Sequence, residues 1–184
     1  MVWPRARAAN PPLVSVAGGY TLRKFRPAET EQYIELAREA GFDHFSAEIL
    51  AGYSATVIPG GFFVVEHDPS GELAASAMAQ HASDEMHPEG GVLGWVMGRA
   101  AHSGKGLGLT VCAAVTGRLL AAGYREIYLK TDDSRLPALK TYLKLGWVPL
   151  LFTPDMESRW QRVCARLAWP FEPDRWPRHG KRSD

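Results

Sequence analysis

The chain has 184 residues, of which 46% are hydrophobic, a length that suits one globular domain with its own core. Its formal net charge is only +1, and its basic residues form no stripe interleaved with aromatic side chains, which argues against a nucleic-acid surface. The sequence contains no run of about 18 uninterrupted apolar residues, so we expect no membrane span.

The first 19 residues are rich in proline, arginine and small side chains, which predicts an extended or disordered lead-in (1–19). No apolar core of a secretory signal follows Arg5 and Arg7, so we expect a cytoplasmic protein. Cys112 and Cys164 lie far apart and outside any metal-ligand pattern. We expect both to be buried thiols in a reducing compartment.

A single domain is expected from residue 20 to residue 168 (20–168). It begins with a strand at 20–25. Residues 29–42 then place apolar side chains at helical spacing, and Gly41 is the residue expected to end that helix. Further helical turns are expected over 45–53.

The middle of the chain predicts a hairpin and then a strand, a glycine-rich loop and a helix. Residues 62–67 and 72–81 suit two antiparallel strands joined by the turn sequence DPSG. A polar loop follows, and residues 92–97 form a further strand that leads into the loop HSGKGLG. Residues 109–123 continue with apolar side chains at helical spacing.

The last part of the chain alternates in the same way. Residues 125–131 predict a strand, residues 132–146 a helix and residues 147–152 a further strand. A last amphipathic helix that carries Trp160 precedes a tail at 169–184, which we expect to be mobile. This alternation indicates an α/β fold whose sheet is covered by helices on both faces.

The loop HSGKGLG holds three glycines and a lysine at the start of a helix, where backbone N–H groups bind phosphate well. Its spacing does not fit a nucleoside-triphosphatase loop. Gly98 is one residue too far from Gly104, and Gly106 stands where that motif needs Ser or Thr. It does not fit a dinucleotide fingerprint either, because Val111 replaces the third glycine.

Two longer stretches follow a family pattern. LGWVMGRAAHSGKGLG at 93–108 and IYLKTDDSRLPALKTYLKLGWVP at 127–149 together resemble the two signatures of the GCN5-related N-acetyltransferase (GNAT) superfamily. In the second signature Arg135 takes the place of an asparagine, and the residues that follow in register are Ala138, Tyr142, Gly146 and Trp147. The resemblance covers about 20–152.

The resemblance implies a mixed, mostly antiparallel central sheet with helices on both faces, in three αβα layers. It also implies acetyl-CoA as co-substrate, with the pantetheine arm bonded to the backbone of Met97 and Arg99 like an added strand. The pyrophosphate would lie on backbone N–H groups of 104–109. The residues expected to bind the coenzyme are Met97, Gly98, Arg99, Ser103, Gly104, Lys105, Gly106, Leu107, Gly108, Leu109 and Arg135.

Tyr142 is the catalytic residue that the resemblance implies. Relatives use the tyrosine at this position to protonate the departing thiolate, and a phenol with a pKa of about 10 carries its proton at neutral pH. Val92 stands where many relatives have a carboxylate, so the general base is not identified. The candidates are Glu66, His81, Asp84, Glu85 and His87.

The glycine-rich loop departs from the family pattern at one residue, and a neighbouring segment raises the question of a metal site. Ser103 replaces the Arg or Gln of the family pattern, which leaves the backbone groups of the loop intact. The segment HASDEMH carries histidines and acidic residues, but its spacing matches no zinc pattern, so no metal is expected.

These features predict an acetyl-CoA-dependent N-acetyltransferase that acts on an amine of a small molecule or a protein. The alternative is a catalytically silent acyl-CoA-binding module, which Val92 favours slightly and Tyr142 disfavours. We expect neither nucleic acid nor a membrane as partner. Trp3, Trp169 and Trp176 lie in the chain ends, where they can dock onto the domain or onto a second subunit, so a homodimer stays open.

Overall fold

The computed structural model describes residues 1–179, so the last part of the predicted tail, 180–184, lies outside the described residues. Five strands form one sheet in the order β1-β2-β3-β4-β5. Their bounds are β1 Tyr20–Lys24, β2 Val57–His67, β3 Leu73–His81, β4 Gly91–Gly98 and β5 Ile127–Tyr128. The pairs from β1 to β4 are antiparallel and β5 joins β4 in parallel, which confirms the mixed, mostly antiparallel sheet.

Helices cover both faces of the sheet. Their bounds are α1 Thr30–Glu39, α2 Ala47–Ser54, α3 Leu107–Ala121, α4 Leu136–Leu145 and α5 Met156–Leu167. Neighbouring residues of β2 show the two faces, because successive side chains of a strand point to opposite sides. Val64 packs with α1 and α2, whereas Val65 packs with α3 and with Tyr142 of α4.

Local sequence signals set the ends of several helices. The Ser46 Oγ accepts a hydrogen bond from the N–H of Ile49 and begins α2. Gly146 has a φ of 99° and ends α4 in the left-handed conformation that glycine adopts without strain. These signals are local, which is why the helices lie close to their predicted positions.

Residues 1–3 occupy the free edge of β5. The Leu129 N–H donates to the Met1 carbonyl and the Trp3 N–H donates to the Ile127 carbonyl, both at 2.9 Å. Trp3 is only 5% exposed, and its ring lies 5.7 Å from the ring of Trp147. The structure therefore differs from the expected loose lead-in at these three residues, because they bury apolar side chains and complete backbone hydrogen bonds.

The segment 147–152 is not the continuous strand that its apolar run predicted. It makes only isolated bridges, Val148 with Val2 and Leu151 with Arg178. Its neighbours are short pieces from the two ends of the chain, so no regular ladder extends along it.

The described part of the tail packs onto the domain. The ring of Trp176 lies 5.8 Å from that of Trp160 on α5 and 5.4 Å from that of Phe171. The His179 N–H donates to the Leu151 carbonyl at 2.9 Å. Up to residue 179 the tail is thus held by aromatic contacts and backbone hydrogen bonds, in contrast to the mobile tail that its composition predicted.

Cys112 and Cys164 are both free and buried, as expected. Among residues 1–179, no helix has the length and apolar character needed to cross a membrane.

Trp3→Ala is expected to lower the free energy of unfolding by about 3 kcal/mol or more, because it leaves a cavity beside Trp147. Chemical denaturation followed by circular dichroism measures this loss. Leu13→Ala is the control, since Leu13 is 94% exposed, and it should change stability by less than about 0.5 kcal/mol. Equal stability of the two variants would contradict a structural role for the first residues.

Candidate functional site

The central feature of the site is an opening between β4 and β5. The two strands pair at only two positions, Gly91 with Ile127 and Val92 with Tyr128, and then separate. Beyond this point β4 continues to Gly98, and no strand within residues 1–179 pairs with it on that side. The opening therefore exposes backbone groups of β4 that can bind an extended ligand.

The residues that present this free edge are Val96 and Gly98. The Arg99 N–H donates to the Ala74 carbonyl of β3 at 2.9 Å. Backbone groups alternate in direction along an antiparallel pair, so Met97 also faces β3. The backbone groups that face the opening are thus each one residue before Met97 and Arg99, and the binding of a pantetheine arm to this strand stays a prediction.

A β-bulge at Trp95 marks the place where the opening begins. Between Gly94 and Met97 strand β4 contains one residue more than β3. Trp95 has a φ of 52°, a conformation that costs a bulky residue about 1–3 kcal/mol. The Ser76 hydroxyl lies 3.3 Å from the Trp95 carbonyl oxygen, to which it donates. Such strain is typical of functional sites, and here it directs the Trp95 side chain toward α1 and α2.

Arg135 lies across the opening. It precedes α4, and its Nη2 donates to the Val96 carbonyl oxygen at 3.4 Å. The guanidinium also lies 5.5 Å from the centre of the Phe42 ring. The structure thus brings Arg135 to the free edge of β4.

Tyr142 belongs to the same region, on the face of α4 that turns toward the sheet. It is 4% exposed and packs in a cluster that includes Leu93 of β4 and Cys112 of α3. Burial raises the pKa of the Tyr142 phenol above its ordinary value. The phenol therefore carries its proton at neutral pH.

The glycine-rich loop forms a backbone pocket at the N-terminus of α3. The six N–H groups from Gly104 to Leu109 donate to no acceptor within residues 1–179. Gly104 and Gly106 both have a φ of 77°, and a Cβ at either would meet no atom within 4 Å. The loop therefore offers free donors and open space to an anion at a positive helix end.

Two other residues of the loop contribute less backbone. The Ser103 N–H donates to the Ala100 carbonyl at 3.1 Å, so only its hydroxyl is available to a ligand. Lys105 is exposed beside the free N–H groups, where its ammonium can add positive charge.

A cavity of about 680 Å³ lies on the α1 and α2 side of β4. Its walls are largely aromatic, and the ring of Trp95 lies 5.2 Å from that of Phe42, 5.0 Å from Phe45 and 4.3 Å from Tyr53. Because Trp95 belongs to the bulge and Arg135 contacts Phe42, this cavity adjoins the opening.

Asp43 and His44 contribute a carboxylate and an imidazole to the lining of the cavity, which also includes the phenol of Tyr53. Both lie in the connection between α1 and α2, and sequence reasoning missed them. The available signal was the segment GFDHF, in which an acidic residue and a histidine stand between two aromatic residues directly after a helix.

The bases proposed from sequence line no part of this cavity. Glu66 forms an ion pair with Arg23, and the His81 Nδ1 lies 3.0 Å from the Tyr124 hydroxyl. Glu85 is exposed in the loop before β4. Glu66 and His81 are thus engaged with Arg23 and Tyr124, which are not part of the cavity lining.

Asp84 and His87 hold the β3–β4 loop over β5. The Asp84 carboxylate lies 3.0 Å from the Lys130 Nζ and 3.1 Å from the His87 Nδ1, and the His87 ring stacks on Tyr128 at 4.2 Å. Desolvation raises the pKa of Asp84, but hydrogen bonds from Lys130 and His87 outweigh it and lower the pKa to about 2. An ionised carboxylate in such a pair stabilises the loop and is a poor proton acceptor.

A model of the acetyltransferase (GNAT) family matches residues 22–147, which is more than half of the chain. A comparison with curated protein sequences finds no match.

Solved structures share the fold. A GCN5-related N-acetyltransferase from Sphaerobacter thermophilus is 23% identical with a TM-score of 0.59, over 74% of this chain and 43% of that one. An aminoglycoside N-acetyltransferase, AAC(6')-Iy, in complex with CoA is 17% identical with a TM-score of 0.59, over 74% and 93% of the two chains. The ribosomal-protein-S18-alanine N-acetyltransferase from Escherichia coli is 18% identical with a TM-score of 0.55, over 69% and 76%. The chain thus spans less than half the length of the Sphaerobacter protein.

Gly106→Val is expected to abolish CoA binding, because valine is strained at a φ of 77° and its side chain fills the space beside the free N–H groups. Isothermal titration with CoA measures the affinity. Gly117→Ala is the matched control, since Gly117 lies inside α3 with nothing within 4 Å of its Cβ position. Unchanged CoA affinity in a folded Gly106→Val protein would mean that the coenzyme binds elsewhere.

Proposed function

The chain belongs to the GNAT acetyltransferase family, and we propose that it transfers an acetyl group from acetyl-CoA to the amine of a small molecule with an aromatic or other apolar body. The observation that carries this proposal is a juxtaposition. The aromatic cavity lies beside Trp95 of β4, the free edge of β4 follows at Val96 and Gly98, and the anion pocket lies in the loop between β4 and α3.

In this proposal the free edge of β4 and the loop before α3 bind different parts of the coenzyme. The free N–H groups from Gly104 to Leu109 bind the pyrophosphate, and the edge groups of Val96 and Gly98 bond to the pantetheine arm. Arg135 gives up its bond to the Val96 carbonyl when the arm enters. This exchange keeps the edge of β4 hydrogen-bonded in both states.

Tyr142 acts as the general acid. The amine nitrogen attacks the thioester carbonyl carbon, the carbon–sulfur bond breaks, and the thiolate takes the phenolic proton of Tyr142. The burial that raises the pKa of Tyr142 ensures that this proton is present at neutral pH. The same burial excludes water, which protects the thioester from hydrolysis.

Asp43 and His44 serve the amine. An ammonium group enters a cavity with aromatic walls, where the Asp43 carboxylate attracts it and ring faces add cation–π attraction. The His44 imidazole then accepts the proton that makes the nitrogen nucleophilic. These roles replace the five base candidates proposed from sequence, none of which lines the cavity.

The lining of the cavity favours one class of acceptor. Its volume of about 680 Å³ fits a small organic molecule rather than a folded protein segment. Four aromatic rings and a single carboxylate suit a monoamine with an aromatic or aliphatic body. An aminoglycoside or a polyamine carries several charges or hydroxyls that these walls leave unpaired.

The alternative, a silent acyl-CoA-binding module, uses the same anion pocket without a competent acid and base. The buried phenol of Tyr142 and the Asp43–His44 pair in the cavity favour the enzyme. The two free thiols are consistent with the proposed cytoplasmic location, and homodimer formation stays a prediction.

Tyr142→Phe is expected to lower kcat about 100-fold, because the leaving thiolate loses its proton donor. The KM for acetyl-CoA should stay within about threefold, since the phenol binds no part of the coenzyme before the reaction. Steady-state kinetics separate the two constants. Tyr128→Phe is the control, because Tyr128 is similarly buried but its hydroxyl donates to the Ala82 carbonyl in the β3–β4 loop. Equal kcat in the two variants would remove Tyr142 from the acid role.

Thiol release from acetyl-CoA is expected to be fastest with arylalkylamines in a panel that also holds amino acids, polyamines, aminoglycosides and lysine peptides. Trp95→Ala should raise the KM for the best amine about tenfold or more, because it removes one aromatic wall. The KM for acetyl-CoA should change little.

Trp176→Ala is the control for this prediction, since Trp176 packs on α5 and lines no part of the cavity. Preference for polyamines or aminoglycosides would contradict the proposed acceptor class. Silence across the panel, with CoA binding intact, would favour the silent module.

A further inference from the structure

Three side chains with metal-binding chemistry lie together at the edge of the sheet beside the glycine-rich loop. They are His67 at the end of β2, Glu72 in the β2–β3 turn and His102 in the short 3-10 turn that follows β4. One ring nitrogen of each histidine and one carboxylate oxygen lie within 4.8 Å of one another. The three residues are too far apart in the sequence to form a recognisable ligand spacing, unlike the histidines and acidic residues of the segment HASDEMH.

Hydrogen bonds fix which nitrogen each ring offers. The His102 Nδ1 lies 2.8 Å from the Tyr20 hydroxyl, and its Nε2 is directed at Glu72, with which it forms a close contact. The His67 Nδ1 lies 2.8 Å from the Ser70 Oγ, and its Nε2 has no partner within residues 1–179. Histidines that bind metals almost always donate from their second nitrogen to an oxygen acceptor, and here hydroxyl oxygens stand in that place.

The rings are also held by packing. The Tyr20 ring lies 5.1 Å from that of His67 and 5.6 Å from that of His102, and His102 is only 9% exposed. The Glu72 side chain is 39% exposed, which leaves a side through which an ion and a water molecule can enter. The cluster is therefore preorganised on two sides and open on the third.

We propose that His67, Glu72 and His102 bind a divalent transition metal, with Zn²⁺ as the preferred ion. Two imidazole nitrogens and one carboxylate oxygen are a zinc ligand set, with water in the fourth position. Mg²⁺ and Ca²⁺ prefer oxygen ligands throughout, so they fit this cluster poorly.

The protons of the cluster balance when the metal binds. When the neutral His102 ring carries its proton on Nε2, that N–H donates to Glu72 and the Tyr20 hydroxyl donates to Nδ1. The metal takes Nε2, and the ring proton moves to Nδ1, where it donates to the Tyr20 oxygen. Glu72 then changes from a hydrogen-bond acceptor to a metal ligand.

A bound metal would tie the turn at Ala100–His102 to the β2–β3 hairpin. Gly104, which carries the first of the free N–H groups in the glycine-rich loop, lies two residues after His102. The site is nevertheless separate from the opening and the cavity, so its test does not depend on acetyl transfer.

Co²⁺ titration of the untagged, metal-free full chain tests the proposal, because four-coordinate Co²⁺ absorbs strongly in the visible. The expected result is saturable binding of one Co²⁺ per chain, displaced by Zn²⁺. Glu72→Gln and His67→Gln should abolish this signal, and Tyr20→Phe should weaken Co²⁺ affinity about tenfold by removing the bond to Nδ1.

His81→Gln is the matched control, because His81 is an exposed histidine of β3 outside the cluster, and it should bind Co²⁺ like the unchanged chain. Thermal unfolding provides a second readout, in which Zn²⁺ raises the Tm of the unchanged chain but not that of Glu72→Gln. No saturable binding by the unchanged chain, or equal binding by His67→Gln and His81→Gln, would overturn the proposal. If His67→Gln fails to fold, Glu72→Gln replaces it in the comparison with His81→Gln, because the Glu72 side chain is partly exposed and its substitution leaves the core intact.

Discussion

The separation of β4 from β5 after two paired residues is the constraint on which the site depends. A strand edge inside a domain must satisfy its backbone groups, and here β4 does so with β3 on one side and, on the other, partly with Arg135. The edge is therefore both stabilised and exchangeable. A ligand with its own amide groups can replace the guanidinium at little net cost in hydrogen bonds.

The separated strand β5 needs support from its other edge, and residues 1–3 supply it. Their backbone groups bond to Ile127 and Leu129, and Trp3 packs against Trp147. The opening between β4 and β5 thus persists because two contacts hold β5 in place. Residues 1–3 bond to the edge of β5 that faces away from β4, and the core formed with α3 and α4 packs against its side chains. Residues 1–3 therefore support β5, the wall of the opening that faces β4.

The proposed chemistry uses three environments with different polarity. The anion pocket at α3 is backbone-lined and open, the phenol of Tyr142 is buried among apolar side chains, and the cavity beyond Trp95 is aromatic with one carboxylate and one imidazole at its wall. Such a gradient suits the proposed reaction between a charged, water-soluble coenzyme and an apolar amine. Burial also raises the pKa of the Tyr142 phenol, which keeps its proton in place for the proposed transfer to the thiolate.

Local patterns in the sequence determined the order of the elements and the positions of the glycine-rich loop and the second signature. Glycine spacing specifies positive φ and a helix start within a few residues, and Arg135 and Tyr142 are separated by a fixed number of helical turns, so their positions follow from nearby residues. Only the tertiary structure decided the features that depend on distant contacts. The bulge at Trp95 shifts the exposed edge of β4 to Val96 and Gly98. Packing between α1, α2 and β4 creates the cavity with Asp43 and His44, and the two chain ends dock because their aromatic residues find partners more than a hundred residues away or on the last helix. Composition and periodicity describe neighbours along the chain, whereas these contacts are set by which surfaces the folded sheet leaves uncovered.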